Sequence, residues 1–452
     1  MGRLFGTDGV RGLANRDITA ELAVDLAVSA AHVLADVGAF EGRASVRPTA
    51  IVGRDTRASG EFLEAAVVAG LASAGVDVTV VGVVPTPAVA WLTATSGADL
   101  GVMLSASHNP MPDNGIKFFA RGGHKLADDI EDQIEQRLGE QWDRPTGADV
   151  GRVKVDAGAA GRYVDYLVGT IDADLAGIRV VVDCANGAAS TVSPEALQRA
   201  GAEVIAIHAA PDGWNINQDC GSTHLDALAK AVIENSADVG IAHDGDADRC
   251  LAVAADGSIV DGDHILAILA TALHDDRRLV GNTVVTTVMA NLGFKIAMES
   301  AGIVVAETAV GDRYVLEEMR SSGFALGGEQ SGHVVMSEFA TTGDGVLTAL
   351  HVLARMAHTG SSLAELAAGV EKYPQVLVNV GGVDKGALDT NSAVRAILAQ
   401  AEEELAGRGR VLLRPSGTEP VIRVMVEAAT SEDAERLAGA IAAVVSAELA
   451  LD

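Results

Sequence analysis

Three aspartates near the middle of the chain stand at alternate positions, in the order Asp244-Gly245-Asp246-Ala247-Asp248. Alternation lets the three carboxylates point to one side, directly after a predicted buried strand. Carboxylates this close repel one another unless a divalent cation neutralises them, and oxygen ligands favour Mg²⁺, Mn²⁺ or Ca²⁺ over Zn²⁺. The segment therefore predicts a metal site.

An EF-hand and a plain turn are the two other interpretations of this segment. An EF-hand fails, because its sixth position is Arg249 where Gly is required and its twelfth is Ala255 where a bidentate Glu is needed. A plain Asp/Gly turn between two strands, such as Ala237–Ala242 and Cys250–Ala254, remains the structural alternative.

A second polar loop, Ser-Ala-Ser-His-Asn-Pro, follows a predicted strand, and Asn-Gly-Ile-Lys comes shortly after it, ending at Lys117. Ser, Asn and Pro are common in turns, so an ordinary turn is the alternative. No Gly-x-Ser-x-Gly elbow surrounds Ser107, which argues against an esterase-type hydrolase. A phosphate on Ser107 would carry about −1.5 to −2 charge and would need a nearby cation, which the aspartate loop could supply.

Two further loops carry groups suited to a phosphosugar. The loop 414–420, with Arg423 shortly after, combines a guanidinium, two hydroxyls and a glycine, the parts of a phosphate clamp. The loop 327–333, Gly-Gly-Glu-Gln-Ser-Gly-His, offers a carboxylate, an amide, a hydroxyl and an imidazole, a mixture that suits sugar hydroxyls. A hairpin turn and a solvated turn are the respective alternatives. The sequence contains no Walker A motif and no strand-linked Gly-x-Gly-x-x-Gly. A nucleotide cofactor is therefore not indicated.

The elements that must position these loops form a repeating pattern. Runs of β-branched residues alternate with amphipathic helical stretches, which predicts an α/β fold with parallel sheets covered by helices on both faces. We predict strands at 100–104 and 239–242, each running into a polar loop, and a helix that begins at Pro194 and ends at Ala200. Ligands collect at the carboxyl ends of such strands.

After Lys372-Tyr373-Pro374 the pattern changes to a strand, a long helix, a hairpin and a final helix, typical of a smaller α+β module. We predict four domains: 1–153 with the serine loop, 154–257 with the metal loop, 258–371 with the sugar loop, and 372–452 with the phosphate-binding loop.

Composition limits the partners. With 33 basic and 62 acidic residues the formal net charge is −29, which excludes a general binder of nucleic acid or of anionic membranes. The longest apolar runs, such as Ile265–Leu273, are too short to span a bilayer, and the first residues lack an apolar signal core. Three cysteines cannot all pair and form no sequence cluster with histidine. We expect reduced, structural thiols in a cytoplasmic protein.

Taken together, the motifs resemble those of the α-D-phosphohexomutase superfamily, and within it the bacterial phosphoglucosamine mutases. FGTDGVRG, SASHNP, NGIK, DGDADR, GEQSGH and RPSGTEP occur in that family's order and spacing, over essentially the whole chain. The resemblance implies four domains around a central cleft: three related mixed α/β units and a smaller C-terminal α+β domain.

The resemblance also implies roles for individual residues. Ser107 would carry the transferable phosphoryl group and, with Asp244, Asp246 and Asp248, would bind Mg²⁺. Glu329 and Ser331 would contact sugar hydroxyls. The clamp for the substrate's other phosphate would comprise Arg414, Ser416, Gly417, Thr418 and Arg423. The resemblance places five more residues in the active site: Arg11, His108, Lys117, Arg249 and His333. It does not state which of them act as general acid or general base.

The implied reaction interconverts glucosamine 6-phosphate and glucosamine 1-phosphate through a phosphoserine and a 1,6-bisphosphate intermediate, feeding UDP-N-acetylglucosamine and cell-wall precursor synthesis. A sugar bisphosphate or a kinase would prime Ser107, and the resemblance admits a homodimer. Alternatives are a phosphomannomutase/phosphoglucomutase of the same superfamily and a Mg²⁺-dependent sugar phosphatase.

Overall fold

The computed structural model describes residues 3–41, 47–416 and 421–451. Its packing divides the chain into two compact units. The first comprises Met1–Met289 with Ile303–Ala368, and the second comprises Ala290–Gly302 with Gly369–Asp452.

The first sheet has the strand order β1-β5-β4-β2-β3-β6, in which β2, β3, β4 and β6 run parallel while β1 and β5 run antiparallel to their neighbours. Its strands are β1 Val10–Leu13, β2 Thr49–Arg54, β3 Asp77–Val83, β4 Leu100–Leu104, β5 Asp113–Ala120 and β6 Val153–Val155. The helices of this region are α1 Ala20–Asp36, α2 Ser59–Ser73, α3 Thr86–Ser96 and α4 Asp128–Gln136. Apolar side chains of α1 and α2 pack on the sheet and form its core.

The second sheet has the order β11-β10-β9-β7-β8, with β7, β8 and β9 parallel and β10 antiparallel to β9. Its strands are β7 Arg179–Asp183, β8 Glu203–Ile207, β9 Val239–Ala242, β10 Leu251–Ala254 and β11 Ile259–Val260. The helices of this region are α5 Ala159–Val168, α6 Ala189–Arg199 and α7 Asp226–Glu234.

The third sheet has the order β13-β12-β14-β15, and its last pair is antiparallel. Its strands are β12 Thr283–Thr287, β13 Val304–Thr308, β14 Leu326–Gly328 and β15 Val334–Met336. The helices are α8 Gly262–Asp275, α9 Leu292–Ser300, α10 Asp312–Ser322, α11 Gly345–Thr359 and α12 Leu363–Ala367.

The C-terminal region has an antiparallel sheet of order β16-β18-β17 with two helices. Its elements are β16 Gln375–Gly381, α13 Ser392–Leu405, β17 Gly409–Pro415, β18 Val421–Ala428 and α14 Ser431–Glu448. This strand, helix, hairpin and helix order confirms the prediction for the region. Its own apolar core includes Val394, Val424 and Ile441.

Two details of the predicted fold are wrong. The sheets are mixed, because the loops after β4, β9 and β14 each lead directly into an antiparallel strand and are too short for a helical crossover. Helix α6 begins at Ala189, and Pro194 lies inside it. The helix start is fixed by a tertiary contact, since the Ala188 amide donates to the carbonyl of Gly245 at 2.8 Å.

Among the described residues, no helix combines the length and the apolar character that crossing a membrane requires.

A buried ion pair stabilises the second compact unit, which we call the C-terminal unit. Glu427 on β18 is fully buried and accepts hydrogen bonds from Arg410 Nε at 2.5 Å and from the Leu292 amide at 3.0 Å. Replacing Glu427 with Ala leaves the Arg410 guanidinium without this partner, so we expect a loss of about 3–5 kcal/mol in the free energy of unfolding. Denaturant unfolding measures it. The control Glu403→Ala, on the exposed face of α13, should change stability little, and equal effects of the two variants would contradict the assignment.

Candidate active site

The serine loop, residues 105–112, joins β4 to β5. Ser107 is almost fully buried and its backbone lies in the left-handed region, with φ 52°, which is uncommon for a residue with a side chain. Its amide donates to Ser105 Oγ at 2.9 Å, and Ser105 Oγ donates to Asp55 Oδ2 at 2.6 Å. The strained conformation is therefore held by neighbours and is not a local preference.

Arg57 is the main support of this loop. Its side chain is fully buried, and all five guanidinium N–H groups are used. Nε donates to Asp55 at 3.0 Å. The two terminal nitrogens donate to main-chain carbonyls of the loop and of the first residue of β5, at 2.6–3.1 Å, namely those of Ser107, Asn109, Pro110 and Asp113. Asn217, from a distant part of the chain, donates to two of the same carbonyls, those of Ser107 and Asn109.

The metal loop, residues 243–250, joins the antiparallel strands β9 and β10. The backbone of this loop is thus a turn between two strands, as the structural alternative predicted. The same loop also carries a cluster of potential metal ligands. One oxygen from each of Asp244, Asp246 and Asp248 lies within 4.8 Å of the others. All three residues are buried, and the Oδ1 atom of each lacks a hydrogen-bond partner. Orphaned carboxylate oxygens in a buried cluster fit a hard divalent cation.

The serine loop and the metal loop meet directly. Ser107 Oγ donates a hydrogen bond of 2.5 Å to Asp244 Oδ2. The backbones are so close that a Cβ on Gly245 would stand 2.6 Å from the Ser107 carbonyl oxygen. The hydroxyl predicted to carry phosphate therefore lies beside the carboxylates predicted to bind metal, although 137 residues separate Ser107 from Asp244 in sequence.

Asp246 is oriented by its second oxygen. Oδ2 accepts from Lys117 Nζ at 2.7 Å and from Thr86 Oγ1 at 2.5 Å. Both donors are buried, so these bonds fix the rotamer, and Oδ1 has no hydrogen-bond partner among the described residues.

Alternating charges link the metal loop to the rest of the site. Lys117 Nζ lies 2.7 Å from Asp8 Oδ2, and Lys125 contacts both Asp8, at 2.6 Å, and Asp312. His333 Nε2 lies 3.6 Å from Asp312. The circuit closes through Asp248 Oδ2, which is 3.6 Å from His333 Nδ1 and 3.8 Å from Lys117 Nζ. We call these six residues the charge ring: Asp8, Lys117, Lys125, Asp248, Asp312 and His333.

Burial and neighbouring charges set the protonation of the site. Burial, and then Asp248 and Asp246, raise the pKa of Asp244 well above its ordinary value. Burial opposes the charge of Lys117, but Asp246 and Asp8 outweigh it and raise the Lys117 pKa. Burial and the cations Arg249 and Arg11 lower the pKa of His108 to about 4, so this imidazole is neutral at pH 7.

Two neighbouring carboxylates also change the pKa of His333. Burial lowers its pKa, but Asp248 and Asp312 outweigh burial and raise that pKa to about 9. In its neutral form Nε2 accepts the Gly343 amide proton at 3.1 Å.

Arg11 and Arg249 flank the two loops. Arg11 pairs with Asp8, and one of its terminal nitrogens donates to the Ala106 carbonyl at 3.4 Å. Arg249 Nε lies 3.8 Å from Asp248 Oδ1. Arg11 therefore contacts the serine loop, and Arg249 lies beside the metal loop.

The sugar loop, residues 329–333, joins β14 to β15. Ser331 Oγ donates to Glu329 at 3.4 Å, and Gln330 donates to Asp263 at 3.2 Å. Its backbone is tied to the start of β10 and of α8, by hydrogen bonds from Cys250 to Gly332 and from Gly262 to Gln330. The structure thus places the predicted sugar-binding residues in the same compact unit as Ser107.

The predicted phosphate clamp lies in the C-terminal unit. Arg414 and Arg423 are direct cross-strand neighbours on β17 and β18. Burial, and then Arg423, lower the pKa of Arg414. Ser416 is buried, and its carbonyl accepts from Lys385 Nζ at 2.7 Å. Gly417 and Thr418 lie outside the described residues.

Several residues of the site were missed by the sequence reasoning. Asp8 lies within the FGTDGVRG segment, so the motif itself was a signal for it. The others are single polar residues on elements with no motif in the analysis, and only the tertiary structure brings them to the site: Asp55, Arg57, Thr86, Lys125, Asn217 and Asp312.

Profiles of a single protein family match four successive segments of the chain. They are described as phosphoglucomutase/phosphomannomutase α/β/α domain I over residues 2–143, domain II over 161–257, domain III over 261–373, and C-terminal domain over 377–444. Three α/β/α domains followed by a different C-terminal one confirm the predicted fold class.

Two full-length relatives are named phosphoglucosamine mutases. A phosphoglucosamine mutase from Streptomyces griseus subsp. griseus is 64% identical over 454 residues, which cover 99% of this chain and 100% of the relative. A phosphoglucosamine mutase from a Nocardioides species is 64% identical over 451 residues, which cover 100% of both chains. The crystal structure of a phosphoglucomutase/phosphomannomutase family protein from Burkholderia thailandensis matches with a TM-score of 0.82 at 24% identity, over 98% of this chain and 97% of that one.

The support of the serine loop can be tested by replacing Arg57 with Lys. Lysine keeps the charge but lacks the five-donor fork, so some of the buried carbonyls lose their partners, at about 1–3 kcal/mol each. We expect a lower free energy of unfolding and faster hydrogen exchange of amides in 105–113, measured by mass spectrometry. The control is Arg54→Lys, on the same stretch of chain but partly exposed. Unchanged exchange in Arg57→Lys would contradict the role assigned to Arg57.

Proposed function

This chain belongs to the phosphoglucomutase/phosphomannomutase family, and from that membership we propose that it interconverts glucosamine 6-phosphate and glucosamine 1-phosphate. The choice of glucosamine among the family's sugars is supported by the full-length relatives, which are named phosphoglucosamine mutases. The chain is accordingly an enzyme, an intramolecular phosphotransferase.

One observation carries the proposal: Ser107 Oγ lies 2.5 Å from Asp244 within a buried cluster of three carboxylates. A hydroxyl in this position, once phosphorylated, adds further negative charge to a site that is already acidic. Such a site suits a phosphoenzyme that requires a divalent cation.

In the proposed reaction, the phosphoryl group passes from Ser107 Oγ to O1 of glucosamine 6-phosphate, so that one P–O bond breaks and another forms. The resulting 1,6-bisphosphate reorients and returns its 6-phosphoryl group to Ser107, which releases glucosamine 1-phosphate. Phosphoryl transfer has a loose transition state with charge spread over the oxygens, so positioning and positive charge are the main catalytic tools.

Mg²⁺ is the proposed cation, held by Asp244, Asp246 and Asp248 together with Ser107, and it would supply Lewis-acid stabilisation of the transferring phosphoryl group. Lys117, Arg11 and Arg249 add fixed positive charge around Ser107. His108 is neutral at pH 7 and 3.4 Å from Ser107 Oγ, so it can hydrogen-bond to that oxygen without adding charge. His333 holds Asp248 in place.

The substrate is bound by groups outside the metal loop. Glu329 and Ser331 are proposed to bind sugar hydroxyls, because a carboxylate and a hydroxyl 3.4 Å apart can accept and donate to neighbouring hydroxyls. Arg414 and Arg423 are proposed to bind the phosphate that is not transferred, with Ser416, Gly417 and Thr418 as the remaining clamp positions. Adjacent arginines without an acidic partner among the described residues suit an anion.

The proposal has consequences for partners and location. Ser107 must be primed once, by a sugar bisphosphate or by a kinase, before the cycle can run. Since phosphosugars are intracellular metabolites and the three cysteines are free thiols, the cytoplasm is the proposed compartment.

Replacing Ser107 with Ala tests the covalent step. We expect turnover to fall by more than about a thousandfold, as for the loss of a nucleophile, while glucosamine 6-phosphate still binds. Coupled assays and calorimetry measure the two quantities, and phosphopeptide mapping should find phosphate on Ser107 of the unmodified protein. The exposed Ser258→Ala is the control. Substantial turnover by Ser107→Ala would rule out the phosphoserine.

A panel of sugar phosphates tests the substrate. With glucosamine, glucose and mannose 6-phosphates at equal concentrations, kcat/KM should be highest for glucosamine 6-phosphate. A preference for glucose or mannose would favour the phosphoglucomutase/phosphomannomutase alternative. Steady release of inorganic phosphate without isomerisation would indicate a phosphatase.

Metal binding can be tested through stability. Because Mg²⁺ would neutralise buried carboxylates in the folded state only, it should add about 2.7 kcal/mol to the free energy of unfolding at about 100 times its Kd. Melting temperatures in Mg²⁺ and in chelator measure the effect. Asp246→Asn should abolish the difference, whereas the exposed Asp256→Asn should retain it. Equal melting temperatures in Mg²⁺ and chelator would contradict the site.

A further inference from the structure

A second cluster of potential ligands lies outside the charge ring and the metal loop. Asp183 is the last residue of β7, and His208 directly follows β8. These strands are parallel neighbours, with Asp183 paired with Ile207, so both residues emerge at the same edge of the second sheet. The chain then loops back and brings Cys220 to the same place. No sequence motif indicates this Cys/His cluster, because the three residues belong to separate segments.

The ligand atoms of the three side chains converge. The carboxylate oxygen, the imidazole nitrogen and the thiol sulfur lie within 4.8 Å of one another. His208 Nδ1 is 2.9 Å from Asp183 Oδ2. The other Asp183 oxygen, Oδ1, accepts the Ala185 amide at 2.9 Å, so the carboxylate is held in a fixed orientation.

The Cys220 thiol is the unexplained group of this cluster. It is fully buried, it is not in a disulfide, and no hydrogen bond of its sulfur is found within the described residues. Burial, and then the charges of Asp183 and Asp219, raise its pKa to about 12, so without a metal it is a neutral thiol. A buried thiol beside a carboxylate and an imidazole has no role in the phosphoryl transfer proposed above.

One nitrogen, one oxygen and one sulfur ligand form a donor set suited to Zn²⁺, not to Mg²⁺, which prefers oxygen alone. We propose that Asp183, His208 and Cys220 form a site for Zn²⁺ or a related transition-metal ion, separate from the aspartate cluster. The His208 side chain is about one-third exposed, at 32%, which leaves a fourth coordination position open to water.

Binding would replace protons by the metal. The ion takes the place of the proton between His208 Nδ1 and Asp183 Oδ2, and in the neutral imidazole that proton moves to Nε2. The thiol loses its proton to solvent as the sulfur–metal bond forms, so one proton is released per ion bound. No oxidation or reduction is involved.

The site lies at the base of a loop that supports the serine loop. Asn217, three residues before Cys220, donates to the carbonyls of Ser107 and Asn109 at 2.8 and 3.0 Å. An ion bound to both His208 and Cys220 would fasten the two ends of the segment 208–220 to β7. This segment, and with it Asn217, should then exchange amide hydrogens more slowly when the metal is bound.

Cobalt is the probe for the site, because Co²⁺ occupies zinc sites and a cobalt–thiolate bond gives a near-ultraviolet charge-transfer absorption. The full-length protein is kept in excess Mg²⁺, which holds the aspartate cluster, and is titrated with Co²⁺. We expect the thiolate band to rise to one equivalent and to disappear on addition of Zn²⁺. Carboxylates give no such band, so the aspartate cluster cannot produce it.

Variants assign the band to Cys220. Cys220→Ser should abolish the band, and Cys250→Ser, which changes another fully buried thiol, should keep it. If Cys220→Ser does not fold, the double variant Cys184→Ser/Cys250→Ser leaves Cys220 as the only thiol and must retain the band. Absence of the band from the unmodified protein, or its persistence in Cys220→Ser, would overturn the proposal. Neither result depends on mutase activity.

Discussion

Mutual repulsion among three buried carboxylates is the constraint on which the rest of the site depends. Asp244, Asp246 and Asp248 bring their oxygens within 4.8 Å of one another in a place with almost no access to water. Charges buried in this way are tolerated only if they are paired, protonated or bound to a metal. The protein pairs the Oδ2 atoms of Asp246 and Asp248 with Lys117, Thr86 and His333, and the three Oδ1 atoms have no hydrogen-bond partner among the described residues. The side chains around the three aspartates hold these carboxylates in position.

Pre-organisation of Ser107 follows from the same logic. The serine lies in a left-handed conformation that its own sequence does not favour. Arg57 and Asn217 donate hydrogen bonds to its carbonyl, and its amide donates to Ser105 Oγ, which holds it there. Because the strain is met by groups that are themselves fixed, the hydroxyl stays against Asp244 without the need to reorganise. The serine, metal and sugar loops all connect antiparallel strands, so their ends are fixed by sheet hydrogen bonds.

The sequence predicted the parts of the site that occur as compact motifs. Residue types and spacing predict a metal site at Asp244–Asp248 and a polar loop around Ser107, and the role of Lys117 is implied by the family resemblance. That resemblance is confirmed by profiles that cover most of the chain. The supporting residues were not found, since Arg57, Lys125 and Asp312 act through contacts across long sequence separations. Strand direction was mispredicted for a related reason: β-branched runs indicate strands but do not state which neighbour each will pair with. The predicted helix start at Pro194 is wrong because the Gly245 carbonyl, on a loop distant in sequence, fixes the start earlier in the chain.

The central claim is that a phosphorylated Ser107 and three aspartates share one divalent cation. Anomalous scattering from crystals of the phosphorylated protein soaked in Mn²⁺ tests it most directly, since Mn²⁺ takes the same oxygen ligands as Mg²⁺. The account predicts a single strong peak in contact with Asp244, Asp246, Asp248 and an oxygen of the Ser107 phosphate. A peak at another place, or manganese bound to the aspartates with the phosphate on a different residue, would contradict it.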